Sequence, residues 1–171
     1  MAAESGLPRD WAALSALLAE IEIATLVTRA ADGSLVGRPL QTLKADPHGA
    51  LWFFTSAESA KLADIGTDPH VNLVYADPAH KRFVSIAGTA EIVRDRARID
   101  ALWSAAQTVF FPEGRDDPNL VLLKVEPSAA RCWDGNESAL GLALKFGKAV
   151  LLGKASDLGS HVEIDPKDAP R

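Results

Sequence analysis

Residues 51–61 read Leu51-Trp52-Phe53-Phe54-Thr55-Ser56-Ala57-Glu58-Ser59-Ala60-Lys61, an apolar strand that runs directly into a predicted helix. Backbone N–H groups at the start of a helix lack intrahelical partners, and the helix dipole is positive there. Three hydroxyl residues can add hydrogen-bond donors at this corner: Thr55, Ser56 and Ser59. Lys61 can reach back to the same corner because helical side chains lean toward the N-terminus. This combination predicts a phosphate site.

The same segment has a second interpretation. Thr55-Ser56-Ala57-Glu58 fits a capping box, in which a hydroxyl and a carboxylate satisfy the N–H groups of a helix start. Capping boxes are far commoner than phosphate sites, and a short motif discriminates weakly between the two. The segment by itself therefore leaves both a capped helix and a phosphate site open.

A second cationic element precedes the apolar strand at Val36-Gly37-Arg38-Pro39-Leu40-Gln41-Thr42-Leu43-Lys44. In an extended strand Arg38, Leu40, Thr42 and Lys44 point to one side. Pro39 has no N–H to give to a ladder, so the strand is expected to lie locally at an edge or to be bulged. Arg38 there would offer a planar fork to a phosphate. The alternative is an ordinary solvated strand arginine.

The sequence pattern of the rest of the chain predicts mostly strands, with helices between or outside them. The predicted strands span residues 21–30, 34–45, 50–55, 71–76, 83–93 and 120–125. A hairpin is predicted at Asp32-Gly33. The predicted helices follow Asp10, begin near Glu58, follow Asp95 as far as Ala106, and span 138–152. Six strands joined largely by turns indicate a closed antiparallel barrel with helices outside.

Composition limits the classes of function. The 171 residues suit one domain, and the formal net charge of −5 argues against nucleic-acid binding. Cys132 is the only cysteine and the four histidines are scattered, so no metal site is expected. The N-terminal residues lack the apolar core of a signal peptide, and no apolar run approaches the ~20 residues that span a bilayer. We therefore expect a cytoplasmic protein without a membrane partner.

The order of these segments resembles the flavin-binding split-barrel family of pyridoxamine phosphate oxidases, in particular its general stress protein 26 branch. The matching segments are Ala24 to Thr28, Gly37-Arg38-Pro39-Leu40-Gln41-Thr42, Leu51 to Ser56 with Ser59 and Lys61, Val71 to Pro78, Phe83 to Glu91, and Cys132-Trp133-Asp134. The resemblance covers about residues 10–153. It implies one domain, a mostly β protein with flanking helices built as a six-stranded antiparallel split barrel. Residues 154–171 are expected to form a flexible C-terminal tail.

The resemblance also implies a homodimer that binds FMN in clefts between the subunits. Arg38 and Lys61 would hold the FMN phosphate, with Ser59 beside it. The backbone of Pro39-Leu40-Gln41-Thr42 and of Phe54-Thr55-Ser56 would line the ribityl chain and the ring. Phe83 and Trp133 would approach the flavin from the other subunit. Phe54 and Trp133 could instead be core aromatics, and Trp103 fits a buried helix stripe better than a cofactor site.

Two departures from the family pattern bear on function. Ala60 stands where the pyridoxamine phosphate oxidases proper carry a second cation, and residues 135–141 contain no positive charge to hold a substrate phosphate. Oxidation of pyridoxamine phosphate is therefore not expected. The resemblance predicts a flavin-dependent oxidoreductase linked to the general stress response, with a nicotinamide nucleotide as a candidate electron donor. The alternative is a non-catalytic protein that stores or senses FMN. No catalytic residue is assigned.

Overall fold

A computed structural model describes residues 10–45, 49–135 and 160–165 of the chain. The helices are α1 (Trp11–Ile21), α2 (Ala60–Thr67) and α3 (Arg96–Leu102). The strands are β1 (Ile23–Arg29), β2 (Leu35–Ala45), β3 (Leu51–Ser56), β4 (His70–Asp77), β5 (Arg82–Val93), β6 (Leu120–Asp134) and β7 (Ser160–Ile164). The strand order is β3-β2-β1-β4-β5-β6-β7, and all the pairings are antiparallel. An additional pairing of β3 with β6 closes the first six strands into the predicted barrel.

Local sequence signals account for the entry into the barrel. The Asp10 carboxylate accepts a hydrogen bond from the Ala13 N–H at 2.8 Å and so begins α1 as a helix cap. The apolar stripe of α1 is buried with the barrel interior. The Asp32-Gly33 turn joins β1 to β2, and Gly33 has a φ of +85°, which a residue without a Cβ adopts at little cost.

Strand β3 is buried on both faces, which explains why its sequence is apolar without alternation. Leu51 and Phe53 face the main core inside the barrel. Trp52 and Phe54 belong to a second core outside the barrel, together with Ile99 of α3. The hydroxyl residues at the end of β3 therefore lie between two packed cores, which fix their position.

Strand β2 has an open edge beside Pro39. Pro39 pairs with Thr25 of β1, whereas the pairing of β2 with β3 begins only at Thr42, with a register shift between Thr42 and Lys44. The expectation that Pro39 lies at a local edge or bulge is confirmed. The opening between β2 and β3 gives a ligand access to the backbone of residues 39–41.

Several element boundaries differ from the sequence predictions. Helix α2 begins at Ala60 rather than near Glu58. Helix α3 is capped by Asp95 as predicted but ends at Leu102, and the chain continues through an extended Trp103 into a 3-10 segment at Ala105–Val109. The apolar helix stripe predicted as far as Ala106 is therefore wrong beyond Leu102.

The C-terminal half of the barrel also differs. Strand β6 runs to Asp134, well past the predicted end at Val125, because the first half of β5 continues to pair with it. Residues 160–164, which were expected in a flexible tail, form β7 and pair with the end of β6. The predicted helix at 138–152 lies outside the described residues.

Candidate functional site

An open cleft of about 220 Å³ lies between β2, the end of β3, the start of α2 and the segment 105–111. Seven of the residues predicted for a cofactor site line it: Pro39, Leu40, Gln41, Phe54, Thr55, Ser56 and Lys61. Four residues without a sequence-based prediction complete the lining: Leu43, Gln107, Phe110 and Phe111. The structure thus brings the two segments singled out in the sequence, residues 36–44 and 51–61, to one place.

The Lys61 ammonium lies at the polar end of this cleft. It donates hydrogen bonds to Thr55 Oγ1 at 2.7 Å and to Ser59 Oγ at 2.6 Å. Desolvation by burial lowers the pKa of Lys61, and the nearby charge of Arg38 lowers it further. Among the described residues Lys61 has no carboxylate partner. A half-buried cation held only by neutral hydroxyls is a favourable place for an anion.

These hydroxyls do not serve as helix caps. Ser59 is the N-cap residue of α2, yet its side chain makes no capping hydrogen bond and instead accepts one from Lys61. Glu58 is exposed. The capping box that the sequence allowed at residues 55–58 is not formed, and the geometry favours the phosphate interpretation of this corner.

Arg38 lies behind the Lys61 corner. Its guanidinium donates to Thr28 Oγ1 at 2.8 Å and to Asp64 Oδ2 at 3.0 Å. Asp64 lies one turn after Lys61 in α2, so the Arg38 guanidinium comes to the same helix as Lys61, as the sequence predicted. Asp64 offsets one of the two positive charges, so this corner keeps a net charge of +1. Arg38 does not itself line the cleft.

The other end of the cleft is aromatic. The Phe54 ring lies 5.6 Å from the Trp103 ring and 6.3 Å from the Phe111 ring, measured between centroids. Phe54 packs in the second core, which confirms the alternative that it is a core aromatic; it also lines the cleft, and its contact with a cofactor stays a prediction. Trp103 packs against Phe54 and lies beyond the end of α3. The adjacent pair Phe110-Phe111 in a polar loop was the one sequence signal for this wall.

Three predicted site residues lie elsewhere. The Thr42 hydroxyl is hydrogen-bonded to the Tyr75 hydroxyl at 2.8 Å, and the Thr42 backbone N–H is donated to the Glu22 carbonyl at 2.8 Å. Phe83 and Trp133 face each other across β5 and β6, on the outer face of the sheet and away from the cleft. They are 42% and 38% exposed, so the alternative that Trp133 is a core aromatic is wrong for this chain alone.

Residues 10–45, 49–135 and 160–165 contain neither a candidate metal site nor a membrane-spanning helix. No group of three or more potential metal ligands occurs there. No helix within these ranges has the length and apolar character needed to cross a membrane. The chemistry of the cleft comes from one ammonium group, several hydroxyl and amide groups, and aromatic rings.

The chain is similar to known proteins over most of its length. The model of the family described as pyridoxamine 5'-phosphate oxidase like matches residues 10–157. General stress protein 26 of Bacillus subtilis is 29% identical over 119 residues, which are 62% of this chain and 84% of that protein.

Solved structures show the same fold. The general stress FMN/FAD binding protein from Xanthomonas citri is 30% identical, with a TM-score of 0.61 over 71% of this chain and 85% of that one. A general stress protein 26 from Jannaschia has a TM-score of 0.61 at 23% identity, over 86% and 92% of the two chains. The prediction of a six-stranded antiparallel split barrel with flanking helices is confirmed.

Proposed function

The chain belongs to the pyridoxamine 5'-phosphate oxidase-like family, and we propose that it binds FMN in the cleft at Lys61 and acts as a flavin-dependent oxidoreductase. The observation that carries this proposal is the pairing of a phosphate corner with an aromatic cleft. Lys61, Thr55 and Ser59 form the corner, and Phe54 and Phe111 belong to the cleft. FMN has a dianionic end and a planar aromatic end. The similar protein of Xanthomonas citri is named as binding FMN or FAD.

Each part of the cleft has a role toward FMN. Lys61 would bind the phosphate directly, Arg38 would support it from behind the corner, and Thr55 and Ser59 would donate hydroxyl hydrogen bonds to it. The open edge of β2 would present the backbone of residues 39–41 to the ribityl chain. The aromatic wall would exclude water from one side of the ring. When bound, FMN supplies the redox chemistry by accepting and passing on electrons.

The protein's own contribution would be binding and orientation. Lys61 is the only ionisable side chain among the described residues that line the cleft, and it is engaged at the phosphate end. We assign no acid or base to the reaction. Oxidation of pyridoxamine phosphate is left out of the proposal, because residues 135–141 carry no positive charge for a substrate phosphate and Ala60 stands where the oxidases proper carry a second cation. A role in the stress response rests on the similarity to general stress protein 26.

A second copy of the chain would complete the site. The cleft of about 220 Å³ is smaller than the ~300–1,000 Å³ of pockets that enclose a ligand within one chain. The outer sheet face carries exposed apolar side chains, among them Ile23, Val74, Phe83 and Trp133. Such a face is typical of a protein interface. In the proposed homodimer this face packs against the partner subunit, and Phe83 and Trp133 of one subunit cover the flavin in the cleft of the other.

Titration of FMN tests the binding proposal. Protein quenches the fluorescence of a flavin that stacks on aromatic side chains, so the dissociation constant can be read directly. Lys61→Met should weaken binding by on the order of 1.5–3 kcal/mol, the worth of a charged hydrogen bond. Lys81→Met removes an exposed lysine and is the matched control. Full fluorescence of FMN with the unmodified protein would overturn the proposal.

Anaerobic mixing of the FMN complex with NADH or NADPH tests the oxidoreductase proposal. Bleaching of the flavin absorbance supports an enzyme that uses a nicotinamide donor. A flavin that binds tightly but is not bleached by either nucleotide favours the alternative, a protein that stores or senses FMN.

A further inference from the structure

One polar side chain of the cleft lining belongs to a largely buried residue and makes no hydrogen bond to the described residues. Gln107 lies in the 3-10 segment Ala105–Val109 and lines the cleft, and the residue is only 7% exposed. Its backbone N–H and C=O are used in the turn, where they bond to Ser104, Phe110 and Phe111. Its side-chain amide makes no hydrogen bond to any residue of the described ranges.

The remaining exposure of Gln107 lies on the cleft side. Among the described residues, Trp52 Nε1 is the only side-chain nitrogen or oxygen that is both fully enclosed and without a hydrogen bond. The Gln107 amide also lacks a hydrogen bond, so it cannot be fully enclosed. The open space that Gln107 borders is the cleft. The amide therefore faces the place where a ligand would lie, while the rest of the residue is packed.

Only the cleft can supply a hydrogen-bond partner to the Gln107 amide, either a water molecule or a bound ligand. A ligand that covers this amide would have to replace the hydrogen bonds to water, because a covered polar group without a partner is unfavourable. Leucine has a similar size and would suit an apolar contact at this position, since the neighbours Phe110 and Phe111 are apolar. A glutamine here is consistent with a ligand that supplies the missing partner.

We propose that the Gln107 carboxamide is a cofactor-binding group that hydrogen-bonds to the polar edge of the flavin ring. A carboxamide carries a donor and an acceptor side by side. The edge of the flavin pyrimidine ring carries carbonyl and N–H groups side by side and complements it. Gln107 lies on the segment that also supplies Phe111 to the aromatic wall, whereas Lys61 lies at the phosphate end. The inference rests on the proposed binding of FMN and adds recognition of the ring to recognition of the phosphate.

The test compares Gln107→Leu with the unmodified protein and with two other variants. Val109→Ala changes a highly exposed side chain of the same segment and is the control for local disturbance. Lys61→Met is the control for the phosphate end. Three quantities are measured for each protein: the melting temperature without ligand, the dissociation constant for FMN, and the inhibition constant of ribose 5-phosphate, which has the phosphate but no flavin ring.

The expected pattern separates a ligand contact from a structural role. Gln107→Leu should weaken FMN binding about tenfold, the upper range for one hydrogen bond. The same variant should leave ribose 5-phosphate binding unchanged and should keep the melting temperature, because the Gln107 amide makes no hydrogen bond to the described residues that the substitution would remove. Lys61→Met should weaken both ligands, and Val109→Ala should change neither.

The outcomes that overturn the inference are distinct from those that overturn the proposed function. If the unmodified protein binds FMN and Gln107→Leu binds it equally well, the role of Gln107 is wrong and FMN binding stands. A variant that loses FMN and ribose 5-phosphate to the same extent, or melts at a lower temperature, also contradicts a ring contact. If the unmodified protein does not bind FMN, both proposals fail together.

Discussion

Arg38 and Asp64 form an ion pair in which guanidinium Nη2 lies 3.0 Å from carboxylate Oδ2. The Thr28 hydroxyl connects the two, since it accepts from Arg38 at 2.8 Å and donates to the same Asp64 oxygen at 2.9 Å. The side chains of Arg38 and Asp64 are 25% and 13% exposed. This closed set of three hydrogen bonds ties β1 and β2 to α2 and fixes the Arg38 side chain before any ligand arrives.

The first prediction concerns this ion pair. Asp64→Asn should destabilise the protein by about 1–2 kcal/mol, because it leaves the Arg38 charge partly buried and without a counter-charge. Partial exposure limits the effect. Urea unfolding measures the change. Glu163→Gln is the control, since it removes one charge from the exposed Arg131–Glu163 pair and should shift stability by less than ~0.5 kcal/mol. Equal losses in the two variants would contradict a structural role for Asp64.

The second prediction concerns the pH dependence of anion binding. The pKa of Lys61 is lowered, first by burial and then by the charge of Arg38, so the ammonium deprotonates below the ordinary value of 10.5. Affinity for a phosphate monoester such as ribose 5-phosphate should therefore fall as the pH rises from neutral toward that value. The monoester stays mainly a dianion over this range, since its second pKa is about 6. Competition with a bound flavin, measured as the inhibition constant of the monoester, follows the change.

Lys61→Arg serves as the control for this titration, because the guanidinium stays charged throughout the range. Its affinity for the monoester should be flat with pH. The lowered pKa has a second consequence without ligand. The unfolded chain holds the Lys61 proton to higher pH than the folded protein does, so the Lys61 contribution to unfolding free energy rises with pH between the lowered pKa and 10.5. A monoester affinity that is independent of pH in the unmodified protein would contradict the assignment of Lys61.

The third prediction uses the only tyrosine of the chain. Burial raises the pKa of Tyr75 to about 12, while the hydrogen bond with Thr42 acts in the opposite direction. The rise in pKa corresponds to roughly 2–3 kcal/mol of stability that is present below pH 10 and is lost as the pH rises through 12. Phenolate absorbance near 295 nm should be absent from the folded protein at pH 10.5 and should appear at once on unfolding in urea. Phenolate formation near pH 10 in the folded state would contradict the burial of Tyr75.

The sequence predicted the parts of the molecule that depend on neighbours in the chain. The caps of α1 and α3, the turn at Asp32-Gly33 and the edge position of Pro39 each follow from a few consecutive residues. The Lys61 corner is of the same kind, because its three residues, Thr55, Ser59 and Lys61, lie within a stretch of seven residues. Local rules of helix and turn geometry were sufficient in these places.

The far wall of the cleft was not predicted, because distant packing creates it. Phe54 of β3 meets Trp103 and Phe111 only once α3 and the following segment fold over β3. Gln107 carries no local signal, since its significance lies in the absence of a partner after folding. Strand β7 was missed because it is short and lies in a polar stretch of the sequence. Val162 and Ile164 alternate with polar residues, but pairing with the end of β6 is what gives the backbone of this segment its hydrogen-bond partners.

The last prediction concerns the proposed dimer. Phe83 lies opposite Trp133 on the outer sheet face, beside Ala76 of β4, and these exposed apolar side chains form a row across three strands. Phe83→Glu would place a charge in the middle of the interface, where burial without a partner is strongly unfavourable. Sedimentation velocity should show a dimer for the unmodified protein and a monomer for this variant. FMN binding should weaken as well, because the partner subunit would no longer cover the ring.

Ile92→Glu is the matched control, because Ile92 lies at the other end of β5 and is 39% exposed, close to the 42% of Phe83. This variant should remain a dimer and bind FMN normally. The melting temperature of both variants shows whether either substitution disturbs the barrel itself. A monomeric unmodified protein that binds FMN tightly would show that one chain forms the whole site, and the assignment of Phe83 and Trp133 to a flavin in the neighbouring subunit would then be wrong.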